Sequence, residues 1–408
     1  MTDSAGIAGG GGAGGGTPPP PHARRRRLLR RSCLGACVLV LGGAATGWWL
    51  YSRLDGNITA DTSAEAELRR YERERPANLA TGAQNILLIG SDSRSGKENA
   101  PYGTDKGTQR SDTVILLHLP ADRKSATAVS VPRDLMSDIP SCLKPDGTRT
   151  AAQYAQFNWA FEWGGAACTI RTVEKLTGIR VDHHMVVDFG GFKRMVDAVG
   201  GVEVCLKEPV DDAAARAKLP AGLHTLRGEQ ALGYVRARHS LGNGSDTERM
   251  QRQQQFLGSL VKKVQSNGVL LNPARLVPLL DAATSSVTTD PGLASLRGLY
   301  ELVRGVRDIP TDQVKFLTVP RRPYPPNPNR DELVEPDAAR LFERLRTDRP
   351  VTVTPPKPQD TREPGSGTAS EQPSAPATEP AGTSSGTGTA PAPVPTFTGT
   401  TAGRADCR

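Results

Sequence analysis

Hydrophobic positions along the chain fall into a few distinct textures. Residues 32–52 are an unbroken uncharged stretch, long enough to cross a bilayer as one helix. Beyond them come short apolar runs closed by turn residues: Asn85-Ile86-Leu87-Leu88-Ile89-Gly90, then Thr113-Val114-Ile115-Leu116-Leu117-His118-Leu119, then 125–131, which leaves through Pro132-Arg133-Asp134. Each reads as a buried strand. Further on, Arg227-Gly228-Glu229-Gln230-Ala231-Leu232 reads as helix and Gly233-Tyr234-Val235 as a fourth strand, which projects Arg236 and Arg238 to the same side. The next helix is predicted to start at Ser245 or Asp246, either of which can cap it. Its apolar stripe is Met250, Phe256, Leu257, Leu260, Val261 and Val264; Arg249 and Gln253 fall inside that stripe and Arg252 outside it, toward solvent.

If the second and third strands form a hairpin and the first runs against the second, Asp92, Arg110, Asp112 and Arg133 gather at one edge of the sheet. Ligands of open α/β sheets bind at such edges. Outside these runs the pattern fades. Residues 354–408 are rich in Pro, Thr, Ser, Gly and Ala, too poor in large apolar groups to offset ordering entropy, and are expected to be a disordered tail. Segment 53–83 alternates Glu with Arg and is expected to be a helical or flexible stalk, which leaves 84–353 for one α/β domain.

Charge adds an address. Residues 1–31 form a Gly/Ala/Pro tract ending in Arg24, Arg25, Arg26, Arg27, Arg30 and Arg31, read as a disordered basic tail. Arginines ahead of the apolar stretch place the N-terminus in the cytoplasm and the rest outside. A cleaved signal peptide competes with a retained anchor, and Trp48, Trp49 and Tyr51 favour the anchor as an interfacial aromatic cluster. The formal charge of +8 owes much to those arginines, so a bulk grip on nucleic acid is not expected. Of the six cysteines, Cys33 and Cys37 lie in the span, while Cys142, Cys168, Cys205 and Cys407 lie in an oxidising space where pairing is expected. Three pairings are open; Cys142 with Cys168 is the one carried forward, and Cys205 with Cys407 depends on it.

The candidate chemistry is a set of individually placed arginines. Tyr234-Val235-Arg236-Ala237-Arg238 and Asp246-Thr247-Glu248-Arg249 join Arg110 and Arg133. Guanidinium forks grip phosphate oxygens two at a time. Any one of these arginines could serve as structural glue, Arg249 with Asp246 for example. Together, with Asp92, Asp112 and Asp134 in turns, they suit a diphosphate that shares a magnesium ion with carboxylate ligands.

The ordered set Ile86 to Arg94, Arg110-Ser111-Asp112-Thr113, Val131-Pro132-Arg133-Asp134, Phe157-Asn158-Trp159-Ala160-Phe161 with Gly164-Gly165, the Arg236 and Arg238 motif, and Asp246 to Gln253 resembles the LytR-CpsA-Psr family. The resemblance implies an α-β-α sandwich, a mixed sheet flanked by helices, that holds a polyprenyl pyrophosphate. It also implies transfer of a glycopolymer from that lipid to the cell wall, usually to peptidoglycan, by an enzyme held in the cell membrane through a single pass. Carried onto this chain, it makes Asp92 and Asp112 the magnesium ligands and Arg110, Arg133, Arg236, Arg238, Arg249 and Gln253 the holders of the pyrophosphate. Arg133, Arg236, Arg238 and Asp134 become the catalytic set, with Asp134 and Asp246 orienting arginines and the general base left open. The loop over 141–156 is longer than is usual in the family, and Cys142 with Cys168 would pin it. Val186, Val187, Phe189, Phe192, Met195 and Val196 are candidates for a lipid slot, with ordinary core packing as the competing role. A rival function of another class is a non-catalytic polyprenyl-phosphate or wall-binding protein that regulates envelope synthesis.

Overall fold

A computed structural model describes residues 21–93, 99, 109–238, 246–266, 273–355 and 395–404. Arg94, Ser245, Cys407 and segment 356–394 lie outside the described residues. The chain divides into two units, Met1–Arg53 and Leu54–Arg408. Helix α1 (Pro21–Gly56) carries one segment, Arg31–Gly56, long and apolar enough to cross a membrane, with a mean hydropathy of 1.7. It starts inside the stretch expected to be unfolded, because proline suits a first helical turn and the arginines after it are good helix formers.

The segment expected to be a stalk belongs instead to the folded unit. Strand β1 (Thr59–Ala60) joins the sheet, and α2 (Thr62–Arg70) is capped by Asp61, which accepts from Ala64 N at 2.9 Å. Ala64 and Leu68, one helical turn apart, enter the main core, and half-buried Arg75 pairs with buried Glu174 at 2.7 Å. The Glu/Arg alternation thus hides an amphipathic helix whose charges find fixed partners.

The three apolar runs form β2 (Gln84–Ser91), β3 (Ser111–Leu119) and β4 (Ala126–Val131), all antiparallel neighbours. After the hairpin β5 (Met136–Ile139) and β6 (Gln153–Gln156) comes α3 (Trp159–Thr177), followed by β7 (His183–Val187), which runs parallel to β2. A lobe of α4 (Phe189–Ala198), β8 (Val202–Leu206), β9 (Val210–Asp212), β10 (Ala217–Leu219), β11 (Gly222–Leu226) and α5 (Gly228–Arg236) leads into α6 (Asp246–Ser266). Then come α7 (Pro273–Thr284), β12 (Val287–Thr289), α8 (Leu296–Val306) and β13 (Val314–Thr318). The hairpin β14 (Arg321–Tyr324) and β15 (Asn327–Leu333), α9 (Asp337–Arg346), β16 (Thr352–Thr354) and β17 (Thr396–Thr401) complete the fold.

The main sheet is mixed, in the order β1-β12-β7-β2-β3-β4-β13-β17-β16. Alternate residues of β2 feed opposite cores. Leu87 and Ile89 pack with Phe157, Ile170 and Leu341 on one face, while Ile86 packs with Phe316 on the other, where Leu257 and Val261 of α6 also lie. This is the sandwich expected. The tail differs from expectation: β17 pairs with β13 and β16. Phe397 is buried against the main core, and the β-branched threonines around it suit a strand.

The Cys142 to Cys168 disulfide is present, with Cα atoms 5.5 Å apart. It ties the 141–156 loop to α3 at a kink where Gly164 and Gly165 leave helical geometry. A Cβ on Gly164 would lie 2.8 Å from the Cys168 Cβ and 3.1 Å from the Cys142 Cβ, so only glycine fits beneath the bridge. Cys205 is also disulfide-bonded.

Candidate active site

The strand ends gather the turn carboxylates as the sequence predicts. Ser91 pairs with Ser111 and Val114 with Val131, so the exits of β2 and β4 and the entrance of β3 share one edge. Asp92 Oδ1 accepts from Arg110 N at 2.6 Å. Arg133 donates from Nη1 to Asp112 at 3.0 Å and from Nε to Asp134 at 3.1 Å, with Asp246 Oδ1 at 3.7 Å. Burial disfavours the Arg133 cation, but Asp134, Asp112 and Asp246 outweigh it and hold the group above its ordinary pKa. Asp134 also accepts from the Gln156 amide of β6.

The opposite wall is helical, and here expectation fails twice. Gly233-Tyr234-Val235 is not a strand but the last turn of α5. A Cβ at Gly233 would lie 3.0 Å from Ala215 O, so the glycine marks a close approach of the β9 to β10 turn to a helix. Arg236 ends that helix and Arg238 follows Ala237, whose backbone turns out of it. Arg252, expected in solvent, is buried and donates to Ala237 O. Helix α6 is covered on more than its apolar stripe: Gln254 beside it reaches Ser130 at 3.0 Å and Thr318 at 3.1 Å on the sheet.

Asp246 opens α6, and its Oδ1 meets Arg249 Nη2 at 2.5 Å. Arg249 is 3% exposed, and its Nε and Asp246 Oδ2 are buried without a hydrogen-bond partner among the described residues. Burial, only partly offset by Asp246 and reinforced by Arg133 and Arg238, draws Arg249 down to about 10. Arg238 is lowered by burial and then by Arg133. Gln253 donates to Val235 O at 3.2 Å, tying α6 to α5.

Between the walls lies a cavity of about 520 Å³, within the range of small-molecule sites. It follows β2 from Ser91 to Leu88 and β3 from Asp112 to Ile115. Asp112, Arg236, Arg238, Arg249 and Gln253 line it together with Phe192, Met195, Leu257 and Leu260. Arg236 lies over the Phe189 ring at 4.5 Å. Of the slot candidates, Val187, Phe189, Phe192 and Met195 line the cavity, whereas Val186 and Val196 pack into cores, the competing role. Arg133 and Asp134 stand behind Asp112, outside the lining. Arg110 turns its half-exposed guanidinium to Glu162 at 3.0 Å.

Asp212 escaped sequence reasoning, although it lines the cavity and accepts from Arg238 N at 2.6 Å and Ala215 N at 3.0 Å. No motif announces it. Gln156 was also missed, though it directly precedes the Phe157 motif. Among the described residues no three His, Cys, Asp or Glu side chains converge as a metal cage. Of the two expected magnesium ligands, Asp112 lines the cavity and Asp92, just past the end of β2, does not.

The model of the LytR_cpsA_psr family matches residues 51–345. The chain belongs to this family. Among its LytR-CpsA-Psr relatives, the cell wall biosynthesis protein LcpA of Corynebacterium glutamicum is 37% identical over 308 residues, covering 69% of this chain and 58% of LcpA. The polyisoprenyl-teichoic acid–peptidoglycan teichoic acid transferase TagT of Bacillus subtilis is 27% identical over 286 residues, covering 68% of this chain and 81% of TagT. The crystal structure of B. subtilis TagV superposes with a TM-score of 0.52 at 25% identity, covering 66% of this chain and 98% of TagV. This LytR-CpsA-Psr chain spans little more than half the length of LcpA and of a second corynebacterial relative, LcpB.

Proposed function

We propose that this protein is a membrane-anchored phosphotransferase, held by one helix of α1 with its folded unit outside the cytoplasm. It moves a glycopolymer from a polyprenyl-pyrophosphate carrier to a cell-wall acceptor, peptidoglycan. One observation carries the reading: a single cavity is apolar along the sheet and cationic at the strand ends, the polarity of an isoprenoid diphosphate. The names of LcpA and TagT support the same chemistry.

In this reading Arg236, Arg238, Arg249 and Gln253 hold the diphosphate oxygens, Arg133 backs them through Asp112, and Arg110 is an outer contact. The acceptor hydroxyl oxygen forms a bond to the glycan-bearing phosphorus. The bond from that phosphorus to the bridging oxygen breaks, and polyprenyl monophosphate leaves with the electron pair. The hydroxyl proton passes to Asp246 Oδ2, a buried carboxylate oxygen without a partner among the described residues. Asp134, held on both oxygens by Gln156 and Arg133, positions the clamp. Asp92 and Asp112 would hold a magnesium ion, whose charge would neutralise the diphosphate.

Full-length protein given a polyprenyl-pyrophosphate glycan, magnesium and peptidoglycan fragments should yield a phosphodiester-linked product by mass spectrometry. Arg236→Ala and Arg238→Ala should each slow transfer by about 100- to 1000-fold, the effect of removing one donor from developing charge. Undiminished rates in both variants would dismiss the assignment. Asp92→Asn should lower transfer more than lipid retention.

A further inference from the structure

Outside the cavity, one surface feature adjoins the site. Tyr154 of β6 is 50% exposed, and its ring meets Tyr324 of β14 edge to face, with centroids 6.2 Å apart at 61°. Strand pairing sets Tyr154 opposite Asp138 and Gln156 opposite Met136, while Ala155 between them is buried. Tyr154 and Gln156 therefore share the open face of β6, roughly 7 Å apart along the strand. Gln156 is the residue that reaches Asp134 of the clamp. The other hairpin meets the same edge: Asp331 of β15 donates from its backbone N to Asp134 O at 3.1 Å. An aromatic pair thus stands one step along the strand from the clamp.

We infer that Tyr154 and Tyr324 form a subsite that stacks a pyranose ring of the acceptor glycan. The inference rests on the transfer reading above and names where its second substrate lies. In-line displacement sets the attacking oxygen opposite the leaving one. The leaving polyprenyl phosphate occupies the cavity, so the acceptor approaches from the far side of the phosphorus. Arg133 and Asp134 lie outside the cavity lining, and Gln156 joins Asp134 to β6.

The surroundings of the rings suit sugar. The apolar C–H face of a pyranose covers an aromatic face, and its hydroxyls need hydrogen-bonding groups at the ring's edge. Tyrosine offers an apolar body with a polar tip. Around the pair stand Asp138, Gln153, Glu332 and Arg322, the last two joined at 2.7 Å, and the exposed prolines Pro323 and Pro325 flank Tyr324. Burial, then Tyr324, Glu332 and Asp138, push the Tyr154 phenol above its ordinary pKa, so it stays a neutral hydroxyl able to donate and accept.

The test uses the full chain with a peptide-free tetrasaccharide of peptidoglycan. Tyr154→Ala and Tyr324→Ala should each weaken tetrasaccharide binding about tenfold by calorimetry. The KM for acceptor should rise by a similar factor with kcat largely kept, and Tyr154→Phe should retain most of the binding. Retention of polyprenyl pyrophosphate lacking a glycan should match the parent. Tetrasaccharide binding that is absent in the parent, or equal in parent and both alanine variants, overturns the subsite. So does a loss confined to the glycan-bearing donor, which would assign the rings to the other sugar. If the parent binds tetrasaccharide through these tyrosines yet yields no phosphodiester, the subsite stands and the transfer reading falls.

Discussion

At the strand edge beside the cavity each acidic group described is met by its own chain: Asp92 by the Arg110 backbone, Asp112 by Arg133, Asp134 by Arg133 and Gln156. At the helix wall Arg249 is buried with Nε unmet among the described residues, as is one oxygen of the neighbouring Asp246, and burial draws the Arg249 pKa down to about 10. The strand edge thus has its carboxylates met, and Ser111 Oγ is its buried atom without a partner among the described residues. The helix wall holds a cation whose burial its pairing with Asp246 Oδ1 only partly offsets, and a buried charge is costly unless fully hydrogen-bonded. The remaining demand for an anion therefore falls at the start of α6, with the strand edge as its frame.

The strongest way to break this contrast is to compare two core truncations. Phe256 is 1% exposed, lines the cavity and packs on Phe192 at 5.5 Å. Phe256→Ala should cost about 3–5 kcal/mol in denaturant unfolding and also lose polyprenyl-pyrophosphate retention. Leu341→Ala, in the core on the opposite face of the sheet, should cost about 2–5 kcal/mol while the folded protein still retains the lipid. Equal lipid loss in both would mean that the helix wall has no separate role.

The disulfide tests the frame. Replacing Cys142 and Cys168 with serine should lower stability by about 3 kcal/mol, because the bridge closes a loop of moderate length in the unfolded chain. Lipid retention by the folded fraction should persist, since neither cysteine lines the cavity.

A third measurement concerns the segment around β1. Burial opposes ionisation of Asp61, but His184 Nε2 at 3.5 Å and hydrogen bonds from Ala64 N and Ser63 Oγ overcome it and hold the carboxyl at about 2 against an ordinary 3.8. A carboxylate whose folded pKa is depressed adds stability above its unfolded pKa and loses it as pH falls through the folded value. The parent should therefore exceed Asp61→Asn by about 2 kcal/mol above pH 4, and the gap should close as pH drops to about 2. The smallest effect is expected at Arg110, half exposed on Glu162, where Arg110→Gln should change diphosphate affinity by less than about 1 kcal/mol in calorimetry.

The strand wall was legible because its information is local. An apolar run ended by a turn with Asp or Arg states both the strand and the placement of its last polar side chain, so β2, β3 and β4 and their shared edge follow from the sequence. The helix wall depends on partners distant in sequence. Tyr234 and Val235 favour strands taken alone, and what makes them helical is continuation from Glu229 and Ala231 together with the close packing of Gly233 on Ala215. Arg252 was misplaced because one apolar stripe was taken as the whole buried surface of α6, when the end of α5 covers another side. Asp212 could not be found from spacing at all; it reaches Arg238 across 26 residues.

Strand β17 lies between β13 and β16 in the sheet, although it comes last in sequence. Order of synthesis and order of assembly therefore disagree at this edge. When β16 has been made, the strand that should flank it has yet to be translated, and β13 presents an open ladder until Thr396–Thr401 arrives. A chain exported vectorially would finish this edge of the sheet only once Thr396–Thr401 had emerged. A stop codon in the segment before β17 would leave an edge exposed to pairing with other chains, so the low-complexity stretch cannot be trimmed as though nothing followed it.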